Sequence, residues 1–264
     1  MKILFIGDIV ARIGRKTVIK LLPDLIKKED VDFVIANGEN MTTGYGMTVD
    51  TMKDLQAVGV DFFTSGNHIW KKQEFVTELD NPKTPVIRPA NYPLGAPGRG
   101  FDVVKTPFGN VGIINMIGLE GFLNANLDSP FRQVEGIIKE LKKKAKIIIV
   151  DFHADISSEK VAFGLFLDGK VTAVFGTHTH VPTADARVLP KGTAVVTDVG
   201  MVGPQNTSLG VKAEPIIQRF LTCLPQKHDI PTEGPVWFNS VLIDADNETG
   251  KAKSIKRIDL ETDI

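Results

Sequence analysis

The chain has 264 residues, enough for one large domain or two small ones, and 42% of them are hydrophobic. Lys and Arg number 31 against 32 Asp and Glu, and the resulting formal charge of −1 excludes a global field that recruits nucleic acid or an anionic membrane. One cysteine excludes an internal disulfide, and no stretch approaches the ~18 apolar residues that cross a bilayer, so a soluble, cytoplasmic protein is expected.

Lys2 to Gly7 reads as a buried first strand, because Ile3 to Ile6 is too short for a signal-peptide core and runs into Asp8. Ile13 to Lys28 alternates at helical period, with Val18, Leu22 and Leu25 on one side. Pro23 inside that pattern predicts a kink or two short helices. Asp32 to Ala36 is a second buried strand, followed by Asn37-Gly38-Glu39-Asn40 and a Gly-rich loop from Met41 to Met47. Thr48 or Asp50 caps a helix that ends at Val58, and Asp61 to Thr64 is a third strand running into Ser65-Gly66-Asn67-His68. Strand, helix, strand, helix, strand at this spacing predicts an α/β domain with parallel pairing.

A helix is expected from Lys71 to Leu79, and the Pro- and Gly-rich stretch from Asn81 to Gly100 reads as a loop wrapping the surface. Val103 to Thr106 and Val111 to Met116 make a hairpin, and Phe131 to Lys144 a helix whose basic end, Lys139 to Lys146, is solvated. Lys146 to Phe152 is a strand with His153 just past it. Ser157 or Ser158 caps a helix through Leu167, and Val171 to Phe175 leads into Gly176-Thr177-His178-Thr179-His180. Further strands are expected at Ala186 to Leu189, Thr193 to Thr197, Val236 to Ala245 and Lys253 to Leu260. The helix from Glu214 to Leu224 is expected to carry Cys223 into the core. No composition break divides the chain, which reads as one domain over residues 1–264 with an antiparallel late part.

Taken singly, the polar residues at the strand ends have plain readings. Asp8 caps a helix, Glu39 is a solvated acid, Asn67 is a turn residue, His153 pairs with Asp151 or Asp155, and His178 and His180 are two rings in a polar turn. Taken together they share one address, because loops at the carboxyl ends of strands in an α/β sheet converge on one crevice. Four of the five histidines lie there; His228, in a Pro-rich loop, is read as structural. Two carboxylates (Asp8, Glu39), two amides (Asn40, Asn67) and three imidazoles (His153, His178, His180) form a mixed N/O set without thiolate. That set suits Mn, Fe, Co or Zn rather than Ca²⁺ or an iron–sulfur cluster. Seven donors are too many for one ion and suit two. Two cations roughly 3.5–4 Å apart clamp both oxygens of a displacement at phosphorus, with a bridging hydroxide as the natural nucleophile.

Gly7-Asp8, Gly66-Asn67-His68, a lone His153 and Gly176-Thr177-His178-Thr179-His180 resemble, in order and spacing, the calcineurin-like metallophosphoesterase superfamily. Val10 stands where a histidine ligand is usual and Glu39 where a bridging aspartate is usual. With Thr183-Ala184-Asp185 and Thr197 to Met201, these departures resemble the bacterial YmdB-type branch, over essentially the whole chain; Ala11 stands where glycine is expected. The resemblance implies a four-layer α/β/β/α sandwich with mixed sheets and a centre of two iron or manganese ions. It implies Asp8, Glu39, Asn40 and His180 on the first ion, Glu39, Asn67, His153 and His178 on the second, and His68 as the acid that protonates the leaving alkoxide. It also implies phosphodiesterase action on small cyclic nucleotides, 2′,3′-cyclic ones favoured. Phosphomonoesterase action on a nucleotide or phosphoprotein, or a regulatory binding role, is the alternative. Substrate choice is expected to lie in Met41 to Met47, Asn81 to Gly100 and Gly203 to Gly210. Arg12 and Arg15 are read as solvated rather than as phosphate ligands. A homo-oligomer with no membrane partner, and a link to RNA turnover, complete the expectation.

Overall fold

The computed structural model describes residues 1–122 and 126–264. In chain order the first elements are β1 (Lys2–Ile6), β2 (Asp8–Ile9), α1 (Ala11–Glu29), β3 (Phe33–Asn37), α2 (Val49–Gln56), β4 (Phe62–Thr64) and α3 (Gln73–Val76). Next come β5 (Phe101–Thr106), β6 (Gly109–Ile117), α4 (Pro130–Leu141), β7 (Ile147–His153), α5 (Ser157–Phe166) and β8 (Ala173–Thr177). The C-terminal third adds β9 (Arg187–Val188), β10 (Ala194–Val196), β11 (Met201–Pro204), β12 (Thr207–Ser208), β13 (Val211–Lys212), α6 (Ala213–Thr222), β14 (Pro235–Ala245) and β15 (Ala252–Asp263).

Two sheets stack face to face. In the first, β1, β3 and β4 run parallel, and β14 closes the other side of β1 antiparallel, with β15 beyond it. The second runs β5-β6-β7-β8-β10-β9, parallel through β6, β7, β8 and β10. The strands read as continuous apolar runs because both faces are covered. Along β1 and β3, Ile3, Phe5, Phe33 and Ile35 face the second sheet, while Leu4, Ile6, Val34 and Ala36 face helices. Phe5 meets Phe175 of β8 across the sheet–sheet core, their ring centroids 5.0 Å apart. Met52 and Leu55 of α2 cover the first sheet's outer face, and Val134, Ile138 and Phe163 of α4 and α5 cover the second's. The result is the expected α/β/β/α sandwich. No helix among the described residues is long and apolar enough to cross a membrane.

Several local expectations need correction. Pro23 does not divide α1, which runs unbroken from Ala11 to Glu29. The carbonyl that Pro23 leaves unbonded belongs to Ile19, on the exposed side where water can reach it. The helix expected over 71–79 is three short pieces, because Lys72 is extended (φ −114°, ψ 101°) between a 3-10 turn at Ile69–Lys71 and α3. Its apolar anchors Ile69, Phe75 and Leu79 are nevertheless buried. Thr48 caps α2 in a reciprocal box with Thr51, but neither Ser157 nor Ser158 caps α5, whose N-cap is Ile156. Strands β11, β12 and β13 were not expected.

Helix α6 is the largest departure. It ends at Cys223, whose left-handed φ of 59° stops it, and it buries no residue; Cys223 is exposed. The apolar period that suggested a core helix is real, but α6 projects from the short β12–β13 ribbon and lies beside a cleft rather than on a sheet. Periodicity reports an apolar face and says nothing of what covers it.

Candidate metal centre

All eight singled-out residues fall in one cluster at the carboxyl ends of β1, β3, β4, β7 and β8. Asp8 begins β2, pinned beside Met201 of β11. Its Oδ2 accepts the His178 amide at 3.1 Å, and its Oδ1 lies 3.8 Å from His180 Nε2 with no hydrogen-bond partner among the described residues. Glu39 is fully buried in the turn after β3; its Oε2 accepts the His68 amide at 3.0 Å, and its Oε1 lies 3.4 Å from His68 Nδ1. His153 Nε2 is the hub of the cluster. Glu39 Oε1, Asn67 Oδ1 and His178 Nδ1 each lie 3.1 Å from it. Asn40 bridges two imidazoles, with Oδ1 2.7 Å from His68 Nδ1 and Nδ2 3.1 Å from His180 Nε2. Gly66 makes the approach possible, since a Cβ there would sit 2.3 Å from both Glu39 Oε2 and His153 Nε2.

The ring tautomers follow from the second ring of contacts. Thr177 Oγ1 donates to Asp151 Oδ1 at 2.7 Å, so it accepts from His153 Nδ1 at 2.9 Å and leaves Nε2 aimed into the cluster. His180 Nδ1 donates likewise to Leu209 O at 3.0 Å, freeing Nε2. Burial of Asp151 pushes its carboxyl up to about 6, although Thr64, Thr177 and Asn37 all donate to it. Burial also raises Asp8. Glu39 is opposed by burial, yet His153 and His68 hold it well below the carboxylate range. Against burial, that same carboxylate pushes His153 up to about 9, while burial and the His153 charge push His178 down to about 3.

The donor set fits metal ions. Glu39, His153 and His178 bring one ligand atom each within 4.8 Å of one another. The 3.1 Å spacings around His153 Nε2 match the edge, about 3.3 Å, of a tetrahedron of ligands bound at ~2.0–2.1 Å. The orphaned Asp8 Oδ1, buried beside His180, is an anionic donor that lacks a cation. Val10, at the departure from the superfamily pattern, packs with Ala11 and Met201 and offers no donor. Ala11, where the resemblance leads one to expect glycine, holds φ 52°, a left-handed backbone that favours glycine, and donates its amide to Asn40 O at 2.9 Å.

The segment after β8 is strained, with His178 at φ 98° and His180 at φ 65°. A buried ion pair that the sequence did not suggest holds it. Asp198 Oδ2 accepts Lys160 Nζ at 2.6 Å, Thr179 Oγ1 at 2.8 Å and the Thr179 amide at 3.2 Å; Lys160 Nζ also donates to Thr177 O at 2.8 Å. Both side chains are 2% exposed. Lys160→Met is therefore expected to cost about 3–5 kcal/mol in urea unfolding, because it strands the Asp198 charge. Lys160→Met with Asp198→Asn should recover part of that loss; a single-variant loss below about 1 kcal/mol would show the pair to be dispensable.

The cluster floors a cleft of about 550 Å³. Its walls come from Thr42 to Tyr45 and from 208–232, as expected for the first and in part for the second. Among the described residues none from 81–100 lines it. That stretch is fixed elsewhere by Arg88, which donates to the carbonyls of Pro89, Ala96 and Gly98. Arg12 lines the cleft, whereas Arg15 is spent on the carbonyls of Met41 and Thr42. His228, read as structural, also lines it and bonds Tyr45 Oη through Nδ1 at 3.0 Å. Tyr45 was visible only as part of a Gly-rich loop.

The sequence profile of YmdB-like proteins matches residues 4–258. The 2′,3′-cyclic-nucleotide 2′-phosphodiesterase of Bacillus subtilis (strain 168) is 44% identical over 263 residues, covering 100% of this chain and 98% of that protein. The crystal structure of a phosphatase from Mycoplasma pneumoniae superposes with a TM-score of 0.92 at 34% identity, covering 99% of this chain and 93% of that one. At the level of fold alone, a 5′-nucleotidase structure from Staphylococcus aureus gives a TM-score of 0.58 at 15% identity over 98% of this chain and 54% of that one. The profile match over nearly the full length and the 44% identity agree: the chain belongs to the YmdB-like protein family.

Proposed function

We propose that this protein is a metal-dependent phosphodiesterase that hydrolyses small cyclic nucleotides, 2′,3′-cyclic ones favoured. The observation that carries the metal assignment is the hub at His153 Nε2, with Glu39, Asn67 and His178 donors all 3.1 Å away. Those four residues would hold one ion. Asp8, Asn40 and His180, with the other face of Glu39, would hold a second, iron or manganese in each case. Exchanging the two amide atoms of Asn40 brings Oδ1 beside His180 Nε2 for that role. The ions, when bound, neutralise phosphate charge and supply a nucleophile at neutral pH. The same exchange turns Asn40 Nδ2 toward His68 Nδ1, which accepts from it, so the ring proton of His68 sits on Nε2, where it can protonate the departing ribose oxygen in the cleft. The substrate class rests on the name of the Bacillus subtilis relative.

Metal-loaded protein is expected to hydrolyse 2′,3′-cyclic AMP and bis-p-nitrophenyl phosphate more efficiently than p-nitrophenyl phosphate. The reverse order would favour the phosphomonoesterase alternative. Loading should also be proton-coupled. His153 carries a proton up to about pH 9 in the metal-free protein, so each ion it binds must displace one. Affinity for Mn²⁺ should therefore rise with pH from neutrality to about 9, a higher window than the ordinary imidazole range near 6.5. Calorimetric titrations in buffers of different ionisation enthalpy measure the released proton; identical heats in both would contradict the coupling.

A further inference from the structure

Residues 209–232 form an arm along one side of the cleft. Its two ends are tied by Lys212, whose Nζ reaches Asp229 Oδ2 at 2.6 Å and whose amide donates to Asp229 O at 2.8 Å. Within it, Ile216 and Phe220 of α6 line the cleft, while Leu221, 72% exposed, does not. Two contacts latch the arm to the Gly-rich loop opposite. Tyr45 Oη meets His228 Nδ1, and Gly44 (φ 88°) lies where a Cβ would come within 2.5 Å of Ile230 Cδ1. The Tyr45 ring stands edge-on to His68 with centroids 4.7 Å apart, so the latch sits beside the residue assigned to leaving-group protonation.

The chemistry of the cleft is therefore divided. The floor is polar and ionic and suits a phosphate and its sugar hydroxyls. The arm offers carbon, from Ile216, Phe220 and Ile230, and its exposed charge on this side is Arg219. A bare cyclic phosphate has nothing to bury against that wall, whereas a flat heteroaromatic group joined to the phosphate through a sugar does. Resting on the phosphodiesterase reading above, we propose that the arm is the nucleobase-binding wall: Phe220 stacks on the base, Ile216 and Ile230 pack its edge, and the Tyr45–His228 latch fixes the wall's distance from the floor. Stacking tolerates any base because every base has a π-face, so the wall selects nucleotides as a class rather than one nucleotide.

The test compares 2′,3′-cyclic AMP with methyl β-ribofuranoside 2′,3′-cyclic phosphate, which carries methoxy in place of the base, on the full metal-loaded chain. Phe220 is 79% exposed, so Phe220→Ala removes the proposed stack without opening the core. The wild type should prefer cyclic AMP by about tenfold or more in kcat/KM, and Phe220→Ala should lose about tenfold on cyclic AMP, through KM, while changing by less than about twofold on the base-free probe. Equal losses on both probes, or none on either, would overturn the inference. So would a fall in sedimentation mass with equal losses, which would make the arm a contact between copies of the chain. A wild type that hydrolyses neither probe would remove the phosphodiesterase reading and this inference with it.

Discussion

Glu39→Gln is expected to lower kcat/KM by roughly 10³-fold or more, the several kcal/mol that a charge-neutralising centre supplies. The carboxylate is fully buried, and both of its oxygens face the cluster, Oε1 toward His153 and Oε2 toward the His68 amide. Glutamine keeps the volume and one acceptor but removes the charge that two cations would share. It also removes the partner that charges His153, whose ring then titrates lower. The fold should survive, because the cluster sits at strand ends and the sheet–sheet core is untouched. The measurement is metal content by mass spectrometry beside turnover. A variant that retains two ions and its activity would sink the role given to Glu39.

His68→Asn is expected to lower kcat on 2′,3′-cyclic AMP by roughly 10²–10⁴-fold, the range of a positioned general acid. Metal content should be unchanged, since His68 Nδ1 is engaged by the Asn40 side-chain amide and its ring is 21% exposed at the cleft. The leaving group supplies the sharper readout. An alkoxide needs a proton as it departs, whereas p-nitrophenolate does not, so the loss on bis-p-nitrophenyl phosphate should be far smaller. Equal losses on both substrates, or metal lost in parallel with activity, would make His68 a ligand or a structural residue instead.

The centre was legible because parallel α/β topology does the assembling. Once β1, β3, β4, β7 and β8 are recognised as buried runs, the residues that follow β1, β3 and β4 meet at one edge of the first sheet and those that follow β7 and β8 at one edge of the second, and the stacking of the two sheets brings those edges together. The expected β14 was legible as another long, mostly buried apolar run, and β15 as an alternating stretch with one face to solvent. What escaped depends on partners far along the chain. Lys160 looks like an ordinary first-turn lysine of α5, and only Asp198, 38 residues later, makes it a buried charge. Tyr45 and His228 are 183 residues apart, and each alone is a loop residue. The apolar face of α6 was visible, but the same pattern serves a core or a cleft. The two-residue strands β12 and β13 are too short to leave any period.

The position of β1 inside its sheet carries a consequence for synthesis. Its two edges are closed by β3 and by β14, and Asp8 in β2 is pinned by β11, so ribosomal order and spatial order are opposed. The first strand made waits for residues 201–245 before its second edge is paired. A nascent chain that has emerged only through β8 therefore presents a bare apolar edge, the kind of surface that chaperones shield. It also holds Asp8 without the backbone that aims it at His178 and His180. The N-terminal motif is translated early but becomes part of a working site only when the C-terminal hairpin docks, and partial translation products should lack the activity entirely.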